Sequence, residues 1–485
     1  MTRPSRREWL LGAAALLAGG CMQSAPSTQA RTPARANGRP VVVLGAGLAG
    51  LATALSLVSS GVEVVVLEAQ ARPGGRIHTV RAFSEGLYAE AGATHVAGDP
   101  DLLALIASVD VKIVRPPPPR GLVTVTYLGG KRARLGIDEE PPARHTFTAE
   151  EDHLGFMGRR KKLFGSMTRF DESAPWPPPS LARHDAQNAI ELLTELGASP
   201  GYTAEFASSM VGEHMDEVSG AFVLREMAGF LRDVSLEGGG RIEGGADRLP
   251  FAIAQRLGAR VVYGAEVKRI EQDPRGARVS FVRGGVLEHL EADRIVCAIP
   301  YSVLRHVETA AGFSAMKQRA IHELPMVSVA RVYAEVDRRF WLERGEAGDV
   351  DTDLPTGSLR DETRLQPGTG GVLGAYLSSD KARAFTALPA ADRLAAFLDG
   401  AEKAHPGARA HFVSGTMKCW DEDPFARGAY AWFRKDQMTA FGPAMSAPER
   451  RVHFAGDHTS HRPGWMHGAV ASAKRAAREV LASRA

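Results

Sequence analysis

The run from Arg39 to Glu68 leaves little freedom for the fold that contains it. Val41-Val42-Val43-Leu44 is a short, continuous apolar run, the pattern of a strand buried on both faces of a parallel sheet. Gly45-Ala46-Gly47-Leu48-Ala49-Gly50 follows without a break. The pattern then predicts a helix over Leu51 to Ser60 and a second strand over Val62 to Leu67, ending at Glu68. Gly45 permits the tight turn that Ala46 continues, Gly47 lets the backbone approach a pyrophosphate, and Gly50 lets helix pack on strand. The helix start offers free N–H groups and the positive end of its dipole to phosphates. Glu68, 18 residues past Gly50, stands where a carboxylate accepts from ribose hydroxyls. A glycine-rich turn alone is a weak signal. Strand, turn, helix, second strand and acid together predict an α/β nucleotide-binding domain. The acid favours an unphosphorylated ribose, hence FAD or NAD rather than NADP.

Ala71-Arg72-Pro73-Gly74-Gly75-Arg76 separates these two. A second glycine pair just past the ribose acid resembles the extended dinucleotide motif of flavoproteins related to amine oxidases. Further blocks follow: Glu90 to His95, Glu243 to Pro250, Val261 to Ile270, Ala292 to Pro300, Trp420 to Tyr430 and Phe454 to Val470. In that order they resemble the flavin-containing amine oxidases (monoamine, polyamine and L-amino-acid oxidases) over most of residues 39–485.

The resemblance implies an α/β fold of two interleaved domains. A Rossmann-like FAD-binding domain, of the type carrying the extended glycine motif, would use 39–110, 240–310 and 448–485. An α+β substrate-binding domain would use 111–239 and 311–447. The proline runs Pro116–Pro119 and Pro177–Pro179 read as irregular loops, Ala186 to Leu196 as a helix, and Ala265 to Ile270 as a strand. The resemblance further implies cofactor contacts from Gly75, Gly92, Ala93, Thr94, Val267, Gly456, Asp457, Met466 and Ala469. Arg76 would balance phosphate charge, and the backbone of Val267 would pair with adenine.

The remainder of the chain bounds the setting. The 485 residues are 44% hydrophobic and 24% charged, a globular composition, and a net charge of +3 does not suggest nucleic acid as a partner. Ser5-Arg6-Arg7 before an apolar run from Trp9 to Gly20 resembles a twin-arginine signal, too short to span a membrane. Ala18-Gly19-Gly20-Cys21 resembles a lipobox, so residues 1–21 read as a leader, 22–38 as a tether, and Cys21 as a lipid anchor for an exported, cell-envelope protein. Cys297 and Cys419 are the cysteines beyond it, enough for one bridge at most.

The reactive end is expected near the C-terminus. Phe454 to Asp457 reads as a strand ending in an acid, and the spacing from Gly468 onward predicts a helix whose positive end would favour an anionic reduced flavin. The resemblance places two aromatics beside the flavin, here Tyr430 in Arg427-Gly428-Ala429-Tyr430 and Trp465 in Gly464-Trp465-Met466. Two such rings would align an amine and exclude water. Ala429 stands where monoamine oxidases carry the cysteine that bonds the flavin, which implies non-covalent FAD. Arg331 occupies the place of a lysine that holds a water near the flavin, and the two are not interchangeable. His95 stands where amino-acid oxidases carry a carboxylate-clamping arginine, which favours a simple amine. No metal site is expected. The expected reaction is oxidation of a primary or secondary amine, with oxygen or another acceptor completing the cycle. An L-amino-acid oxidase, a flavin desaturase or protoporphyrinogen-oxidase-like enzyme, and a non-catalytic flavin-bearing protein stand as alternatives.

Overall fold

The computed structural model describes residues 38–115, 121–138, 146–167, 177–207, 214–310 and 312–484. The leader, most of the tether, Cys21 and Pro116–Pro119 lie outside them. Val41–Leu44 is the central strand of a five-stranded parallel sheet, flanked by Arg294–Cys297 and Val64–Leu67, with Val452–Phe454 and Val261–Val262 at the edges. The continuous apolar run is explained by burial on both faces. Val41 and Val43 pack with the helix Leu48–Ser59 and with Ala476 and Val480 of the last helix. Val42 and Leu44 face a second core with Ile295, Tyr301 and Phe454.

A four-stranded sheet lies in the order Val286–Ala292, Gly276–Arg283, Glu266–Asp273, Glu308–Thr309. A seven-stranded mixed sheet has its own core around Trp341, Phe397 and Leu373. In that sheet Val329–Val336 sits between Phe412–Cys419 and Gly371–Ser378, and this register puts Arg331 opposite Tyr376. The strands of the parallel sheet are thus drawn from near the two ends and the middle of the chain. The seven-stranded sheet is drawn from stretches between them.

Several boundaries differ from expectation. The first helix starts at Leu48 rather than Leu51, directly on Gly47. The helix expected over Ala186–Leu196 starts late and runs Ala189–Glu195, after a separate 3-10 turn at Ala182–Asp185. Asn188 caps the Glu191 N–H at 2.8 Å while Glu191 caps the Asn188 N–H at 2.7 Å, and this box sets the start. The last helix, Met466–Ala482, begins two residues early, so Trp465 is its N-cap. Its preceding strand ends at Phe454, and Asp457 opens a 3-10 turn instead. Cys297 and Cys419 are both free and buried, with no bridge between them.

Candidate active site

The glycine turn opens onto a cavity of ≈ 850 Å³. Gly45 has φ +98°, and a Cβ on Gly50 would lie 2.0 Å from the Gly45 carbonyl oxygen, so each position requires glycine. A Cβ on Gly47 would meet nothing, because its face is open to the cavity. The helix that starts there has no side-chain cap, leaving its first N–H groups for a ligand. The second glycine pair lies directly against this turn: Gly74 pairs with Gly47, and its N–H donates to the Ala46 carbonyl at 2.8 Å. Glu68 accepts from the N–H of Ala46 at 2.7 Å and of Gln70 at 2.8 Å. Burial pushes its carboxyl above the usual range against these donors. Each oxygen retains acceptor capacity on the cavity side. Ala46 and Gly50, expected among the cofactor residues, do not line the cavity. Ala46 holds Glu68 and Gly74, and Gly50 packs helix on strand.

Asp457 and Arg76, expected at the cofactor, meet each other. Arg76 Nη2 donates to Asp457 Oδ1 at 2.5 Å and Nη1 to Oδ2 at 3.2 Å, a two-pronged pair. Burial alone would raise the Asp457 carboxyl. Arg76, then His458 and the Gly464 N–H, outweigh it and hold the group below its usual range. The same pair reaches both aromatic turns. Arg76 Nη1 donates to the carbonyl of Ala429 at 2.8 Å, and Asp457 Oδ2 accepts from the N–H of Gly464 at 2.8 Å. Ala429 precedes Tyr430, and Gly464 precedes Trp465. The turns also touch, since a Cβ on Gly464 would lie 3.1 Å from Tyr430 Cβ. Tyr430 and Trp465 are half-buried and line the same cavity.

Arg331 lines the same cavity. Its Nε donates to the Tyr333 hydroxyl at 2.9 Å and its Nη2 to Glu362 Oε1 at 3.0 Å, both within the interior. Arg331 is therefore a wall residue whose charge is answered by Glu362, and its guanidinium is not free. Tyr376, opposite in register, has its ring 5.4 Å from the guanidinium and its hydroxyl 3.2 Å from that of Tyr430. Glu362 and Tyr376 were not among the expected site residues. Tyr376 carried a faint signal, as the one aromatic in the run Gly371–Ser378. His95 also faces the cavity, and burial, then the charges of Arg241 and Arg331, push its imidazole down toward the neutral form. Gly75, Gly92, Ala93, Thr94, Val267, Gly456, Met466 and Ala469 complete the expected lining.

Behind Trp465 lies a buried polar cluster absent from the sequence reading. Arg462 donates from Nε to His467 Nε2 at 3.0 Å and pairs with Asp233 through Nη2. Burial, then Arg462, lower His467 to about 3, so the ring accepts as a neutral group. The His467 and Trp465 rings lie 5.8 Å apart. Gly229, in the helix Gly220–Asp233, makes room for this guanidinium: a Cβ there would fall 0.5 Å from Arg462 Nη1. Gly to Ala inside a helix normally stabilises by up to about 1 kcal/mol. Gly229→Ala should do the opposite and destabilise by roughly 3 kcal/mol, because it drives the Arg462 guanidinium off Asp233 and leaves that carboxylate the 3.5 Å contact with Arg232. Thermal melts check the sign, and tryptophan fluorescence should shift with it.

The donors fit a flavin dinucleotide. The uncapped helix start and the open Gly47 suit a pyrophosphate, Glu68 suits ribose hydroxyls, and the lining runs from Val267 to the aromatic turns. Residues 48–481 match the family model for flavin-containing amine oxidoreductases. The Bacillus subtilis (strain 168) protein YobN is 30% identical over 461 residues, covering 91% of this chain and 94% of the other. A flavin-containing amine oxidase of Danio rerio is 27% identical over 92% of this chain and 86% of its own. An L-amino-acid oxidase of Siganus canaliculatus is 28% identical over 91% and 85%. A solved putrescine oxidase with bound putrescine superposes with a TM-score of 0.77 at 23% identity, over 92% of this chain and 99% of the other, a likeness of fold. The chain belongs to the flavin-containing amine oxidoreductase family, and its cofactor is FAD.

Proposed function

We propose that this enzyme oxidises an amine to an imine at the end of the cavity walled by Tyr430 and Trp465. The observation that carries this reading is the Arg76–Asp457 pair, which ties the residue before each aromatic to one buried anchor. FAD, when bound, supplies the two-electron acceptor for the C–H bond next to nitrogen. The chain supplies the rest. Tyr430 and Trp465 align the neutral amine, attract its cationic form on approach, and exclude water. The Tyr376 hydroxyl, 3.2 Å from that of Tyr430, limits where the phenol can turn. No side chain is assigned as a base. The imine leaves and hydrolyses to a carbonyl compound plus ammonia or an amine. Oxygen, reduced to hydrogen peroxide, or another acceptor takes the two electrons.

FAD is held without a covalent bond in this proposal, since Ala429 offers no thiol and neither Cys297 nor Cys419 lines the cavity. Arg331 favours the oxygen step through its charge, damped by Glu362. Arg331→Met should slow reoxidation roughly tenfold, the scale of one partly neutralised charge, and more than it slows reduction. Stopped-flow measurement of the two half-reactions checks this. Export through the leader and anchoring at Cys21 belong to the same proposal, and Cys21→Ala should move the protein from the membrane to the soluble envelope fraction. The reaction itself is tested by oxygen uptake with an amine panel. Uptake matched by carbonyl product is expected, and none with any amine, polyamine or amino acid overturns the reading.

A further inference from the structure

The cavity holds a cation that nothing in the described protein answers. Arg76 pairs with Asp457, Arg331 with Glu362, Arg360 with Asp351, Arg364 with Asp349 and Lys268 with Glu266. Arg427 is exposed to solvent beside His306. Arg241 differs from all of these. It is half-buried, it lines the cavity, its Nε is buried without a hydrogen-bond partner, and no carboxylate among the described residues pairs with it. Glu226, which also lines the cavity and is half-buried, is answered by Arg225 at 3.7 Å.

Its location follows from the backbone. Val96 and Gly240 exchange both backbone hydrogen bonds at 2.9 Å as an antiparallel bridge. The next residues outward, His95 and Arg241, therefore stand opposite one another with side chains on one face. Both line the cavity, and the Arg241 and Arg331 charges both act on His95. Arg241 is thus on the side of Arg331, Tyr376 and Tyr430. The phosphates of the dinucleotide belong at the uncapped helix start by Gly47, so they do not neutralise it. An unpaired guanidinium with a desolvated nitrogen is costly unless a bound anion completes it. A planar fork of donors matches a carboxylate.

The geometry points to Arg241 as a carboxylate-recognition residue, with His95 beside it, so that the amine oxidised here is one that carries a carboxylate. This rests on the proposed amine oxidation and names the substrate class within it. His95 in place of an arginine therefore does not make the cavity neutral, because the cation comes from the facing strand.

The test uses the FAD-loaded enzyme and two readouts. The first is binding without turnover: phenylacetate, which has no amine, is titrated against the oxidised flavin spectrum. Saturable perturbation is expected, with the Kd weakened about 10- to 100-fold in R241M, the scale of a lost hydrogen bond to a charged group, and less in R241K. The second is selectivity. The kcat/KM ratio of L-phenylalanine to 2-phenylethylamine, and of L-ornithine to putrescine, should exceed one in the wild type and fall by a similar factor in R241M. Wild-type preference for the decarboxylated amines, or phenylacetate binding unaltered in a folded R241M, overturns the inference. Should R241M not fold, the wild-type titration and substrate ratios decide alone. Phenylacetate binding with no oxidation of any amine leaves the Arg241 site standing and sinks the proposed function. Amine oxidation without carboxylate preference does the reverse.

Discussion

Replacing Trp465 by alanine should lower kcat/KM for the amine about a hundredfold, the cost expected when a reacting group loses its alignment. The effect should fall on catalysis rather than on the fold. Trp465 is only half-buried and spends its exposed surface on the cavity, so removing it forfeits little packing. Its backbone is held independently by the Gly464 N–H on Asp457 and by the buried Met466 that follows. Trp465→Phe keeps an aromatic face and should recover much of the loss. Rapid-reaction measurement of anaerobic reduction, beside melting curves of the three proteins, separates misalignment from instability. A large drop in melting temperature with the reduction rate intact would mean that the ring serves only the fold.

Breaking the Arg76–Asp457 pair should have the largest effect of any single change. Arg76→Met leaves Asp457 buried without its guanidinium, a situation that typically costs about 3–5 kcal/mol. It also frees the carbonyl of Ala429 and loosens the acid that holds Gly464, so both aromatic turns lose their anchor together. The expected protein is purified with little or no flavin and has a lowered melting temperature. Bound flavin per chain and the thermal transition measure the two. The pair also fixes an acid limit. Asp457 is held below its ordinary range, so its stabilising contribution is complete above the unfolded-state value, near 3.9 for an aspartate. It disappears as pH falls through the lowered folded value. Flavin release by the wild type should follow that acid limb, and Arg76→Met should lose the dependence. Arg76→Lys keeps the charge but not the fork, and should fall between the two.

What the sequence displayed and what it concealed divide along physical lines. The strand, glycine turn, helix and Glu68 were legible because each needs particular residues at fixed local spacing: only glycine tolerates φ +98° at Gly45 or the 2.0 Å approach at Gly50. Tyr430 and Trp465 were legible through the family likeness of their turns. The Arg76–Asp457 pair was not, because its partners are 381 residues apart and each was expected to face the cofactor alone. Arg331 was found, but its ion pair with Glu362 depends on how distant strands come together. The Arg462, Asp233 and Gly229 cluster joins a helix in one part of the chain to the turn before Trp465. No local pattern marks Gly229 as the place where a guanidinium must fit. The first and last helices start three and two residues early because Gly47 and Trp465 are their N-caps and the apolar periodicity registers only after the first turn, whereas the Asn188 capping box starts its helix three residues late.

Amine oxidation at the Tyr430–Trp465 end of the cavity underlies both of these expectations. Its most direct measurement is anaerobic mixing of the FAD-loaded enzyme with amines and amino acids, following the visible absorbance of the flavin. Full bleaching by at least one amine-bearing substrate is expected, at a saturating rate that falls about a hundredfold in Trp465→Ala. Absence of bleaching by every amine, polyamine and amino acid, or bleaching at the same rate in Trp465→Ala, would contradict it.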